Sequence, residues 1–272
     1  MKFIEWLKSL FKKAEAPKAP LPKPAEAVVI KDEPKPLPVS ESEEHLKRHG
    51  FNRASVMRGS DVIPFAVPHP RKKMKTKGTY KGGWPSGAVV HYTAGRDHKG
   101  KAFSTIEGAK DYYAYLCIDI DGTIVQAHPV SKWGYHAGES GWRGLIGGMN
   151  DDLIGIEINN PGKLDEKGGK LFSWYGEEVS KADARYVTKD AYGCPTGWYK
   201  KYSKEQEDAL IRVIAWLYYS CPKAGHFKID NVVGHHEVAG PLGGLKGFRK
   251  SDPGGSLWLP MPEFRSYLKK IL

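Results

Sequence analysis

Val89-Val90-His91-Tyr92-Thr93-Ala94-Gly95 decides how this chain is read, because an apolar β-branched run closes on an imidazole and then gives way to a turn. Asn231-Val232-Val233-Gly234-His235-His236-Glu237 repeats that arrangement, and Lys250-Ser251-Asp252-Pro253-Gly254 places a carboxylate on a loop. Two rigid strands can thus aim ring nitrogens at one point beside Asp252. Two imidazoles and a carboxylate suit zinc, and three protein ligands leave the fourth position of a catalytic site open. An imidazole buried without a partner is costly, which singles out His91 and His235 among the ten histidines. His45, His49, His69, His98 and His226 have no such setting and read as structural. Side chains alternate across a strand, so only one of His235 and His236 can reach the metal, and His235 is the expected one.

Working outward, Ala88 to Tyr92, Tyr115 to Ile120, Thr123 to Ala127, Ile154 to Ile158 and Val232 to Gly234 read as strands, with Asp121-Gly122 marking a hairpin turn. The best helical signal starts at Ser203, which forms a capping-box pattern with Gln206. It carries Leu210, Val213, Ile214 and Leu217 on one face and stops before Pro222. Strands with long helical signals between them make an α/β fold the expectation. Residues 160–202, rich in Gly, Lys and aromatics, show little periodicity and read as a long insertion. There is no internal repeat.

Glu157 interrupts the apolar strand Leu153-Ile154-Gly155-Ile156-Glu157-Ile158-Asn159, where a carboxylate is costly unless it is paired or working; the plainer reading is an edge-strand glutamate in water. Lys250 stands two residues before Asp252, so in extended chain the two side chains face the same way. By itself it would be an ordinary surface lysine.

The 272 residues allow one large domain with appendages, and 40% hydrophobic residues suffice for a packed core. A net charge of +11 implies an anionic partner: nucleic acid, an acidic membrane face or an anionic cell envelope. No nucleic-acid motif is present, and the basic run from Arg71 to Lys77 lacks interleaved aromatics for base stacking, so a nucleic-acid partner is not expected. Cys117, Cys194 and Cys221 lack CxxC spacing and read as inert thiols. No stretch approaches the ~18 apolar residues of a membrane span.

Residues 1–15 set Phe3, Ile4, Leu7, Leu10 and Phe11 at helical spacing opposite Lys8, Lys12 and Lys13, a basic amphipathic helix. Such a helix can lie on an anionic membrane or dock on the protein's own core, and the linker that follows favours the membrane. That linker, residues 16–40, is rich in Pro, Ala and Lys and reads as a semi-rigid spacer. Residues 41–83 form a lead-in with a helix over Glu41 to Arg48, and residues 84–272 read as the main domain. Glu5 and the lysines interrupt any signal-peptide core, so the expectation is synthesis in the cytoplasm without a Sec signal; a monomer is expected.

The strings VVHYTAG, Trp133-Gly134-Tyr135-His136-Ala137-Gly138-Glu139-Ser140, Ile154-Gly155-Ile156-Glu157, GHHE and KSDPG resemble the ordered motifs of the zinc N-acetylmuramoyl-L-alanine amidases, the amidase_2 family shared with phage endolysins and peptidoglycan recognition proteins. The resemblance spans roughly residues 84–262 and implies a mixed central β-sheet flanked by helices, with residues 84–272 as a catalytic domain that acts at the cell wall or periplasm. It implies zinc held by His91, His235 and Asp252, with Glu157 as general base and Lys250 as oxyanion partner. The implied reaction is hydrolysis of the amide between N-acetylmuramic acid and the L-alanine of the stem peptide, in phage-type lysis or wall remodelling. Trp133, Tyr135, His136, Trp142 and Asn150 resemble groove residues that touch sugar or peptide, and each could equally be packing. Some members carry a tyrosine just before the Ile118-Asp119-Ile120-Asp121-Gly122 hairpin. Here that position is Ala114, flanked by Tyr113 and Tyr115, which throws weight onto Glu157. A peptidoglycan-binding module that no longer cuts is the alternative, although Asp252 keeps a ligand that non-catalytic members often lose.

Overall fold

The computed structural model describes residues 35–143, 145–146, 148–188 and 193–272. Residues 1–15, expected to form a basic helix, and residues 16–34 of the spacer lie outside the described residues. Five helices are described: α1 (Val39–Arg48), α2 (Lys101–Gly108), α3 (Lys204–Ser220), α4 (His235–Val238) and α5 (Met261–Ile271). The strands are β1 (Val67–Pro68), β2 (Gly78–Thr79), β3 (Ala88–Tyr92), β4 (Tyr115–Ile118), β5 (Ile124–Gln126), β6 (Lys132–Trp133), β7 (Gly141–Trp142), β8 (Leu145–Ile146) and β9 (Ile154–Ile158). They continue with β10 (Lys163–Lys167), β11 (Lys170–Phe172), β12 (Glu178–Val179), β13 (Ala184–Val187), β14 (Gly197–Lys200) and β15 (Val232–Gly234).

The central sheet has the order β1-β5-β4-β9-β3-β15. It is mixed: β4, β9, β3 and β15 run parallel, and β5 returns antiparallel to β4. Parallel strands are covered on both faces, which is why these runs are apolar throughout. On one face Val90, Ile154, Ile156 and Ile158 pack with Leu210, Val213, Ile214 and Leu217 of α3 and with Phe264 and Leu268 of α5. Each such side chain, fully buried, contributes about 1.5–3 kcal/mol. The opposite face is divided. Tyr115, Cys117 and Val125 meet Ala102 and Ile106 of α2, while Val89 and Val233 meet Trp142, Met149 and Leu153.

Helix α3 starts where its capping box places it. Ser203 Oγ accepts from Gln206 N, and Gln206 Oε1 accepts from Ser203 N, both at 3.0 Å. The same two side chains reach the sheet: Ser203 Oγ donates to Ile120 O at 2.7 Å and Gln206 Nε2 to Asn159 O at 2.7 Å. The lead-in segment shares the main core, because Leu46, Phe51, Ile63 and Tyr80 belong to one cluster with the central strands and α3. Cys117, Cys194 and Cys221 are free and buried.

The segment 160–202 departs from expectation. It holds a second, five-stranded antiparallel sheet in the order β12-β11-β10-β14-β13. Its strands carry few apolar residues, so hydrophobic periodicity was weak; backbone ladders and a small cluster of Leu164, Leu171, Ala184, Val179 and Trp198 hold it instead. Arg185 Nη1 donates to Gly255 O at 2.9 Å, so this sheet leans on the loop that carries Asp252.

Candidate metal and active site

The site forms where parallel strands end, the usual place for a crevice in such sheets. Register puts His91 of β3 beside Glu157 of β9 and Val90 beside Gly234 of β15, so His235, one residue on, arrives level with His91. His91 Nδ1 and His235 Nδ1 each lie 2.9 Å from Asp252 Oδ2 and 3.0 Å from each other. Among the described residues, His91, His235 and Asp252 are the group whose donor atoms converge as metal ligands do, and all three are buried.

The far side of each ring fixes its tautomer. His235 Nε2 donates to Ala137 O at 3.2 Å. His136 Nε2 donates to Leu153 O at 2.8 Å, which leaves its Nδ1 to accept from His91 Nε2 at 3.1 Å. Both Nε2 protons are therefore engaged, and both Nδ1 lone pairs are directed at the Asp252 carboxylate. Burial, helped by the neighbouring His235, pushes His91 down to about 4, so the ring is neutral near pH 7 and able to ligate. Burial acts to raise the Asp252 carboxyl, but the two imidazoles beside it outweigh that effect and keep it below its ordinary range, so a carboxylate and two ring lone pairs are offered to one cation. This donor set fits a divalent metal.

His236 takes another role. Residues 235–238 are a helical turn rather than strand, so the expected alternation of side chains does not apply. His236 N and His236 Nδ1 both contact the Asp252 carbonyl oxygen at 2.9 Å and anchor the loop. Glu237 accepts from Gly234 N at 2.8 Å and forms a two-point pair with Arg265 of α5, each contact 2.8 Å. Sequence reading missed this support; the i, i+3 spacing of Gly234 and Glu237, which allows the glutamate half of a capping box, was its one visible signal.

Glu157 is half-buried as a residue, but its Oε2 is buried and has no hydrogen-bond partner. Burial first, then the charge of Asp252, raises its carboxyl to about 8, with Lys250 acting in the opposite sense. Lys250 is exposed on the Asp252 loop, and its charge reaches both Glu157 and His91. Tyr115 lies on the same sheet face as Glu157, two residues from its partner Cys117. Burial and the Glu157 charge push its phenol far up, so it stays protonated.

The five expected groove residues separate. Tyr135 is exposed, edge-on to Tyr113 and to the half-buried Trp133. His136 instead has both ring nitrogens committed, and its ring covers Gly155 so closely that a Cβ there would stand 2.7 Å from His136 Cγ. Trp142 is buried with Val89 and Val233, a packing role rather than a groove one. Asn150 accepts from the backbone N–H of His136 and Ala137 at 2.8 and 2.9 Å and so shapes the loop.

The sequence profile of the N-acetylmuramoyl-L-alanine amidases matches residues 81–255, well over half of the chain. The chain belongs to this family. The amidase's central sheet, flanking helices and site strands all fall within or beside the matched region. Solved structures that resemble it include AmpD, at 22% identity and a TM-score of 0.41 over 78% of this chain and 98% of that one. AmiD from E. coli, in complex with anhydro-N-acetylmuramic acid-L-Ala-D-gamma-Glu-L-Lys, gives 22% and 0.44 over 68% and 58%. The Clostridium intestinale endolysin LysCS gives 15% and 0.42 over 76% and 97%. At these values the assignment rests on the family profile. No curated protein sequence matches the amidase.

Proposed function

We propose that this amidase is a zinc enzyme that cleaves the bond between N-acetylmuramic acid and L-alanine in peptidoglycan, with His91, His235 and Asp252 as ligands, Glu157 as general base and Lys250 as oxyanion partner. The observation that carries the proposal is the pair of Nδ1 lone pairs, each fixed by an engaged Nε2, meeting one carboxylate oxygen. Bound there, zinc would supply Lewis acidity toward the scissile carbonyl and the attacking water.

The chain's own groups account for the protons. Glu157, beside His91 and with an unpartnered oxygen, takes a proton from the water as its oxygen bonds to the carbonyl carbon. The C–N bond then breaks, and Glu157 returns the proton to the nitrogen of L-alanine. A carboxyl raised by burial holds that proton well enough to carry it between the two steps. Negative charge that develops on the carbonyl oxygen is met by Lys250, an attraction that grows toward the transition state. Trp133 and Tyr135 line the approach.

The setting is phage-type lysis or wall remodelling, with the basic helix of residues 1–15 holding the enzyme near an anionic membrane or envelope surface. Among the described residues no helix is long and apolar enough to cross a membrane. The test is zinc content together with release of L-alanine amino groups from purified walls. About one zinc per chain, with activity lost to a chelator and restored by zinc, is expected; a metal-free preparation with full activity overturns the zinc assignment.

A further inference from the structure

The turn between β11 and β12 grips the loop that leaves the metal-binding strand. Trp174 Nε1 donates to Ala94 O, Tyr175 OH donates to Gly95 O at 3.3 Å, and Arg96 Nε pairs with Glu177 Oε1 at 3.0 Å. Ala94 stands three residues past His91, so their Cα atoms are at most about 11 Å apart. The second sheet therefore places its turn on the rim of the crevice. Ala94 adopts a φ of 52°, uncommon for a residue with a Cβ, and the indole contact helps to hold it there.

Trp174 is 70% exposed, the second most open large hydrophobic side chain among the described residues after Met57 at 73%. Its one polar atom is nevertheless satisfied, and Tyr175 braces it edge to face, with centroids 5.4 Å apart and planes at 83°. The ring is thus tethered through its nitrogen and largely open to solvent, a surface that needs little further ordering to bind. An indole face suits the apolar C–H face of a pyranose ring. It is a poor partner for the carboxylates of a stem peptide, and Arg96, the cation of this contact, is already paired with Glu177.

We propose that Trp174 is a saccharide platform that stacks a sugar of the glycan strand flanking the muramoyl unit being cut. The proposal rests on the amidase reading above. It assigns the second sheet a role in choosing polymeric over minimal substrate.

The test compares Trp174→Ala and Trp174→Phe with the parent on two substrates: uncrosslinked glycan chains bearing stem peptides, and N-acetylmuramoyl-L-alanyl-D-glutamate. Trp174→Ala should lower the ratio of kcat/KM for chains over kcat/KM for the minimal substrate about five- to tenfold, mostly through KM. Trp174→Phe, which keeps a ring, should restore much of it. An unchanged ratio overturns the platform. A parent protein that cuts neither substrate refutes the amidase reading instead, and the platform is then judged by binding of N-acetylglucosamine oligomers: weaker binding by Trp174→Ala supports it, and equal binding overturns it.

Discussion

The two sheets of this amidase are held together by opposite means. In the central sheet, strands are apolar on both faces and the chemistry sits where they stop, so His91, Glu157 and His235 stand on rigid backbone. In the second sheet, β10 reads Lys-Leu-Asp-Glu-Lys and buries Leu164 alone, so the ladder carries it and the core adds little. The contrast separates catalysis from reach. Atoms that react are fixed by dense packing, whereas the outer rim is built from a lightly packed element set against the loops at 93–96 and 250–256.

The largest effect should come from the dense side. Glu157→Gln keeps the shape of the side chain but removes the base, and should lower kcat roughly 10²–10⁴-fold while metal content stays at the parent level. Activity within a few-fold of the parent would move the base elsewhere, with Tyr113 or Tyr115 the phenols to test. The same variant gives a pH readout in metal-free protein. Folded Glu157 keeps its proton to about pH 8, while the unfolded chain releases it near 4.5. Between these values the folded state binds more protons, so this group's contribution to stability falls as pH rises. The Tm of the parent relative to Glu157→Gln should therefore decline from pH 4.5 to pH 8, and a flat difference would show that the carboxyl is not buried in solution.

A smaller effect is expected one step behind the ligands. His136→Ala removes the acceptor that fixes the His91 tautomer, and should weaken zinc binding about ten- to a hundredfold in a chelator competition. Unchanged affinity would show that His91 needs no such partner, and would return His136 to the groove role that its motif suggested.

The difference between the sheets also explains what could be read from sequence. The strands ending at Tyr92, Ile158 and Gly234 were legible because burial on both faces demands largely apolar runs. The capping box of Ser203 and Gln206 marked the start of α3 because its hydrogen bonds are local. The roles of His136, Trp142 and Arg265 were not legible, since each depends on partners brought in by tertiary structure: Leu153 O, Val89 and Glu237. The second sheet did carry one local signal that hydrophobic patterning passes over. Gly168-Gly169 links Lys167 to Lys170 as a two-residue hairpin loop.

That loop supplies the smallest and sharpest test. Gly168 and Gly169 have φ of 58° and 78°, and a Cβ at either would meet nothing within 4 Å, so substitution adds conformational cost without a clash. Gly169→Ala should cost about 1–2 kcal/mol, the usual penalty for an L-residue in left-handed backbone. In a chain of this size that lowers Tm by a few °C. Because the second sheet touches the Asp252 loop but supplies no ligand, zinc affinity should stay within about twofold, and faster amide exchange should be confined to residues 163–187 and 197–200. If zinc affinity instead falls tenfold, the contacts of Arg185 and Tyr199 with Gly254 and Gly255 are setting the Asp252 position. The lightly packed sheet would then be part of the metal site and not only its rim.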